Sequence, residues 1–223
     1  MFAILLPVKE FRRSKQRLAA ALSPLRRERL ARAMFEDVWE TLRESAGRYR
    51  LLVVTAEPFV IERCQRQGVP VLVERESRGH SDAVAAATPW AMRQGASSLL
   101  SLAIDTPAIT AQEISSIAER SQDYSVIVVP SADGSGTNAL LRTPPDAIAP
   151  RFGPGSCALH VAEARSKQRS CLVHAVASFA ADIDTPEDAE RFLALRRGKR
   201  TAALLRRWLK DAPAAGRGVA VCS

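Results

Sequence analysis

Aromatic side chains make up only 5% of the chain's 223 residues, and none is interleaved with its arginine-rich clusters. The sequence therefore offers no stacking platform for a single-stranded nucleic acid. It carries no zinc-finger pattern and no RNA-binding aromatic motif either, so no nucleic-acid partner is expected. No apolar run approaches the roughly 20 residues that span a bilayer, and no membrane association is expected. Phe2 to Val8 is apolar, but no basic segment precedes it and no small-residue cleavage site follows. It reads as a first β-strand rather than a signal peptide, and the protein is expected in the cytoplasm. The four cysteines, Cys64, Cys157, Cys171 and Cys222, lack zinc-ligand spacing and read as free thiols. A P-loop (Gly-x-x-x-x-Gly-Lys-Ser/Thr), a Gly-x-Ser-x-Gly nucleophile elbow and internal repeats are all missing, which sets aside the NTPase and serine-hydrolase patterns built on the first two.

What is present is an ordinary globular balance, 47% hydrophobic and 25% charged, with a net charge of +8. The positive excess suits either a nucleic acid or an anionic small molecule bound beside solvated, arginine-rich helices. Short, wholly apolar runs such as Leu51-Leu52-Val53-Val54 and Val126-Ile127-Val128-Val129 alternate with amphipathic stretches. That is how strands buried on both faces of a parallel sheet read. The order predicts a doubly wound α/β domain over residues 1–197, with a mostly parallel central sheet. Helices are expected at Pro24 to Ser45, with Leu25, Leu30, Met34, Val38 and Leu42 on one face, and at Pro58 to Gln67 and Ser81 to Arg93. Others are expected at Ser156 to Arg165 and Pro186 to Arg196. Thr110 and Glu113 have the spacing of a capping box. Residues 198–223 read as a basic C-terminal extension, partly helical and partly mobile.

Three groups of residues could carry chemistry. Asp105 is expected at the carboxyl end of a strand over Ser98 to Ile104, where Thr106-Pro107 turns the chain away. Asp182 and Asp184, two residues apart, point to one side if the segment is extended. Carboxylates that converge beyond a sheet need a cation, and magnesium suits carboxylate together with phosphate oxygens. The competing role for Asp184 or Thr185 is to cap a helix beginning at Pro186. The second group, Lys9, Arg12, Lys15 and Arg17, follows the first strand, on the edge of such a sheet where ligands lie. Lysine as a point charge and arginine as a fork suit a triphosphate, although a solvated basic loop reads the same way. The third group is Gly136-Thr137-Asn138 with Phe152-Gly153-Pro154-Gly155-Ser156. Glycines admit a close ligand and a helix start offers N–H groups to an anion; the alternative is a helix N-capped by Ser156. His160 lies one turn into that helix, within reach of the anion site, whereas His174 reads as a core residue.

Taken in order, several segments resemble one family. They are Leu6-Pro7-Val8-Lys9, Lys15-Gln16-Arg17-Leu18, Glu36-Asp37-Val38, Val53-Val54-Thr55, Asp105-Thr106-Pro107 and Gly136-Thr137-Asn138-Ala139-Leu140. Phe152-Gly153-Pro154-Gly155-Ser156 with His160, and Asp182-Ile183-Asp184-Thr185-Pro186-Glu187-Asp188, complete the set. The chain resembles the 2-phospho-L-lactate guanylyltransferases and their phosphoenolpyruvate-using relatives, which serve biosynthesis of the deazaflavin coenzyme F-420. The resemblance runs from Phe2 to about Leu195. It implies a GT-A-like nucleotidyltransferase fold that moves GMP from GTP onto a three-carbon phosphorylated acid and releases diphosphate. It also implies that Lys15 and Asp105 are catalytic, with Lys9, Lys15 and Arg17 at the triphosphate. Thr55, Gly79 and Ser81 would line guanine and ribose; Asp105, Asp182 and Asp184 would hold magnesium; Thr137, Gly153 and Ser156 would bind the acceptor. Members are often homodimers.

Two departures stand out. Gly79-His80-Ser81-Asp82-Ala83 replaces the usual Gly-Leu-Asn-Ala-Ala, so the asparagine contact to the nucleotide is lost. Cys157 follows Ser156 where a phenylalanine is common, which leaves room for an extra hydroxyl beside the acceptor. Among 2-phospho-L-lactate, phosphoenolpyruvate and 3-phospho-D-glycerate, that inclines the expectation to the last. The alternatives are a sugar-phosphate or molybdopterin nucleotidyltransferase, which usually carries Gly-x-x-Arg-x-Gly where this chain has Pro7-Val8-Lys9, or a basic nucleic-acid-binding protein.

Overall fold

Side chains alternate across an extended strand, and each apolar strand here feeds two cores at once. In β1 (Phe2–Val8), Ile4, Leu6 and Val8 enter one core cluster while Ala3 and Leu5 enter another. The computed structural model describes residues 1–44, 47–76 and 79–211. The first cluster packs under α1 (Pro24–Glu44), α2 (Pro58–Arg66) and α4 (Ala111–Glu119), centred on Phe35, Trp39 and Ile114. The second lies under α3 (His80–Arg93), whose Ala83, Val84, Ala87 and Ala91 form a flat apolar face. Helices therefore cover both faces of the sheet, as expected for an α/β domain. Each fully buried large side chain in these layers contributes about 1.5–3 kcal/mol.

The remaining strands are β2 (Arg50–Thr55), β3 (Val71–Val73), β4 (Ser98–Leu102), β5 (Val126–Pro130), β6 (Thr137–Arg142) and β7 (Cys171–Val173). They form one seven-stranded sheet in the order β3-β2-β1-β4-β6-β5-β7. All neighbours run parallel except β6, which is antiparallel to both β4 and β5. The order reverses between β1 and β4, the position where α/β sheets open a crevice beyond their strand ends. Because β6 runs backwards, Ala139 pairs with Leu102, and the start of β6 arrives at the same crevice as the end of β4.

Several local expectations shift. The strand carrying Asp105 ends at Leu102, so Asp105 sits in the following turn rather than at the strand end itself. Leu25, expected on the apolar face of α1, is 57% exposed because it precedes the first turn that meets the core. His174 lies just past β7 and is half-buried; only its backbone N–H, donated to the Val128 carbonyl, extends the sheet. Ser45, the expected last residue of α1, lies outside the described residues. Thr110 and Glu113 form the capping box, with both reciprocal bonds present.

The chain closes with α5 (Ser156–Ser166), α6 (Pro186–Ala194) and α7 (Lys199–Asp211). α7 returns to α1: Ala202, Leu205 and Trp208 join Leu30, Met34, Ile183 and Phe192 in one cluster. Its first turn is capped from a distance, with the N–H groups of Arg200 and Thr201 donating to Asp37 at 3.1 and 2.8 Å. Among the described residues no helix is long and apolar enough to cross a membrane.

Candidate active site

The segment after β1 is held in place by its one aromatic residue. The Phe11 ring enters the core beside Phe35 and Phe59, while its N–H donates to Glu57 at 2.9 Å. Two single-turn helices, Phe11–Arg13 and Gln16–Leu18, flank Lys15, whose backbone is left-handed at φ 56°. A non-glycine residue in that region costs about 1–3 kcal/mol and persists only where the surroundings impose it. Here the result is a lysine directed into the crevice. Its side chain is 2% exposed, with Nζ 2.9 Å from Asp105 and 3.1 Å from Asp184. Arg17 reaches the other oxygen of Asp184 at 3.2 Å. The two acidic segments are also joined directly, Ile183 N–H donating to the Asp105 carbonyl.

Burial opposes the charge of Lys15, but Asp105 and then Asp184 outweigh it, and the ammonium's pKa lies above its ordinary value. Burial likewise opposes ionisation of Asp105, and the attraction of Lys15 overcomes it, so this carboxyl stays below its usual range. Asp182 goes the other way. Burial raises its pKa, the Asn138 amide at 3.2 Å pulls it down, and the neighbouring Asp184 charge raises it again.

The three aspartates thus face one crevice but do not meet at one point. Among the described residues no three His, Cys, Asp or Glu side chains are placed to hold a metal ion. The Lys15 ammonium neutralises Asp105 and Asp184, while Asp182 turns to the Asn138 amide. Asp105 and Asp184 nevertheless converge on one cation, with an all-oxygen donor set that suits a hard divalent ion.

On the far side, Thr137 opens β6 after a turn in which Asp133 binds Ser131 and Ser135 and Ser131 accepts the Gly136 N–H. The Ser131 and Ser135 hydroxyls, and then the Ser135 N–H, draw the Asp133 carboxyl well below its ordinary pKa. A Cβ on Gly136 would stand 2.8 Å from Ser131 Oγ, so a larger residue there would displace the hydroxyl that ties the turn. Behind Thr137 lie Ser156 and His160, both fully buried. Ser156 is the first helical residue and not the N-cap; Gly155, at φ 71°, fills the cap position. Its hydroxyl bonds Thr137 at 3.0 Å instead.

These residues line two adjoining hollows. The first, about 380 Å³, is walled by Lys9, Arg13, Lys15, Arg17, His80 and Asp105 among others. The second, about 620 Å³, is walled by Ser131, Ser135, Gly153 and Arg191 among others. Arg17, Thr137, Asn138, Asp182 and Asp184 border both. Of the residues expected at the site, Lys9, Lys15, Arg17, Asp105, Thr137, Gly153, Asp182 and Asp184 are brought together. Thr55 is not: it is fully buried, its hydroxyl donating to Val8 O and accepting from Glu57 N–H, which fixes the end of β2. Ser81 turns its hydroxyl to the Phe152 carbonyl, and His80 takes its place in the wall. Gly79 caps α3 at φ 118° and borders neither hollow. Cys157 packs in the cluster of Val126, Val128 and Leu140 and borders neither hollow, so its small size opens no room in them. Asn138, Arg13 and Arg191 were not assigned roles from the sequence. Asn138 was visible only as part of a motif, and the two arginines only as members of charged stretches.

A family profile described as "Guanylyl transferase CofC like" matches residues 2–212. The chain belongs to that family. Among curated members, a phosphoenolpyruvate guanylyltransferase of Conexibacter woesei is 36% identical over 219 residues, covering 95% of this chain and 98% of that one. A 3-phospho-D-glycerate guanylyltransferase of Colwellia psychrerythraea is 34% identical, covering 84% and 89%. A 2-phospho-L-lactate guanylyltransferase of Methanothermobacter thermautotrophicus is 30% identical, covering 91% and 89%. The fold of this CofC-like protein is also that of a structure described as a nucleotide-diphospho-sugar transferase from Desulfovibrio desulfuricans G20. That match has a TM-score of 0.73 at 16% identity and covers 95% and 98% of the two chains. The CofC-like chain is thus a guanylyltransferase-family enzyme with a nucleotidyltransferase sheet.

Proposed function

We propose that this CofC-like enzyme transfers GMP from GTP to a three-carbon phosphorylated acid, with magnesium, in coenzyme F-420 biosynthesis. The observation that carries this is the pair of hollows with a common wall at Arg17, Thr137, Asn138, Asp182 and Asp184. GTP occupies the first hollow, where Lys9, Arg13, Lys15 and Arg17 face its phosphates. The acceptor occupies the second, beside Thr137, Gly153, Ser135 and Arg191. The acceptor's phosphate oxygen then attacks the α-phosphorus in line, one P–O bond forms as another breaks, and diphosphate leaves. A phosphate is already ionised at neutral pH, so no general base is required, and the site acts by positioning and charge neutralisation. Bound magnesium would supply Lewis-acid stabilisation of the phosphate charge, with Asp105 and Asp184 as the residues to hold it. Asp182, pushed toward neutrality by burial, joins them if a cation offsets the repulsion of Asp184.

With Cys157 packed in the core, nothing in the cleft favours an extra hydroxyl, and the acceptor is assigned by class. The test is guanylylation with phosphoenolpyruvate, 3-phospho-D-glycerate and 2-phospho-L-lactate, with and without magnesium, followed by 31P NMR. A new diphosphate-linked product with at least one acid is expected. Turnover with none of them, or GMP transfer only to a sugar phosphate, would reject the assignment. Light scattering measures whether the implied homodimer forms.

A further inference from the structure

His160 has no part in the transfer as described, yet it is fully buried directly behind Thr137. Its hydrogen bonds fix its state. Nε2 accepts the Arg151 backbone N–H at 2.8 Å, and a backbone amide can only donate. A neutral ring must then carry its proton on Nδ1, which faces Thr137 Oγ1 at 3.1 Å and donates to it. Burial, with the nearby Arg142 charge, keeps the ring neutral by lowering its pKa to about 4. Ser156 is equally buried, and among the described residues Thr137 Oγ1 is its side chain's hydrogen-bond partner, so the serine proton goes there too. Thr137 Oγ1 therefore accepts two hydrogen bonds. Both lone pairs are used, and its own proton has one direction left, outward into the cleft that Thr137 borders.

We propose that His160 is a positioning residue that, together with Ser156, fixes the Thr137 hydroxyl as an obligate donor to an anionic oxygen of the acceptor acid. An ordinary threonine could present either a proton or a lone pair, and a lone pair would repel that oxygen. This rests on the second hollow being the acceptor site. The donor is set before binding, so no rotamer entropy is lost when the acid arrives.

The experiment is steady-state kinetics of the full chain, with KM measured separately for GTP and acceptor. Thr137→Val should lower kcat/KM for the acceptor by about 10- to 100-fold, the range for a hydrogen bond to a charged group. His160→Leu should lower it about tenfold, while His160→Asn, which keeps an N–H at the Nδ1 position, stays within about threefold of wild type. In the Thr137→Val background His160→Leu should add less than about threefold, because two residues acting through one contact are not additive. KM for GTP should barely move throughout. Equal His160→Leu effects in both backgrounds, or equal losses for GTP and acceptor, would overturn the positioning role. Should His160→Leu fold poorly, Thr137→Val and His160→Asn still decide: an unchanged acceptor kcat/KM in the first, or a loss in the second as large as in the first, rejects it. If the wild type turns over none of the three acids, it is the acceptor assignment that has failed. If the wild type is active and the variants match it, only the positioning role has.

Discussion

Lys15 lies between two carboxylates of the cleft, and its removal takes from Asp105 its ion-pair partner and leaves Asp184 with Arg17 alone. Lys15→Met should lower kcat/KM for GTP by about 100- to 1,000-fold, the usual cost of losing one preorganised charge contact. Kinetics on protein whose melting curve confirms folding checks this. The sequence made Lys15 a candidate through its neighbours, but its left-handed backbone and near-complete burial are tertiary facts that no local pattern encodes. Thr55 shows the converse. It ends a strand at the correct edge of the sheet, yet its hydroxyl is spent on Val8 and Glu57, because a side chain at a strand end can turn inward as readily as outward. His160 gives a pH prediction. Its folded-state pKa of about 4 lies below the ordinary 6.5, so between those values the unfolded chain binds a proton that the native chain refuses. The stability of the neutral ring is complete above pH 6.5 and is lost as the pH falls to 4, roughly 3 kcal/mol in all. Arg142 and Arg151 oppose the proton and Glu163 favours it. Urea unfolding at pH 7 and pH 4.5 should show a smaller pH loss for His160→Asn than for wild type.

At the scale of elements, the start of α6 combines a helix cap with a carboxylate turned to the cleft. Thr185 caps the helix and Asp188 returns the bond, completing a capping box. Asp188 also accepts the Asp184 N–H at 3.0 Å, so the cap holds the backbone whose side chain meets Lys15 and Arg17. Sequence spacing showed that Asp182 and Asp184 share a side; which of several carboxylates would cap and which would face the cleft depended on the approach of the β1 loop. Asp188→Ala should cost about 1 kcal/mol of stability by loss of the cap. It should also lower turnover several-fold, read by urea unfolding and by kcat on the same preparation. Gly198, between α6 and α7, has φ 62°, and a Cβ there would stand 2.6 Å from Phe192 and 3.0 Å from the Pro107 carbonyl. Gly198→Ala should destabilise by about 2 kcal/mol or more, since strain and overpacking act together. Thermal melts would measure it.

Across the whole molecule, the order of strands and helices was readable because each short apolar run is followed by an amphipathic one. The reversed direction of β6 was not, since alternation looks the same whichever way a strand runs. That reversal is what brings Thr137 and Asn138 to Asp105. The Glu36-Asp37-Val38 motif was recognisable without an explanation, and Asp37 acquires one only when residues 200 and 201 return to it. Trp208→Ala should cost about 3 kcal/mol, the range for emptying a buried aromatic site. Ending the chain at Arg197 should lower the melting temperature further by uncovering Leu30, Met34 and Phe192. An unchanged melting curve for the truncated chain would show α7 to be dispensable. The docking of α7 on α1 also sets a timetable for synthesis. Leu30 leaves the ribosome about 175 residues ahead of Leu205. At roughly 5–20 residues per second the nascent chain carries an uncovered apolar stripe on α1 for about 10 to 35 seconds. During that interval a chaperone, rather than the protein's own last helix, is the natural occupant of that surface.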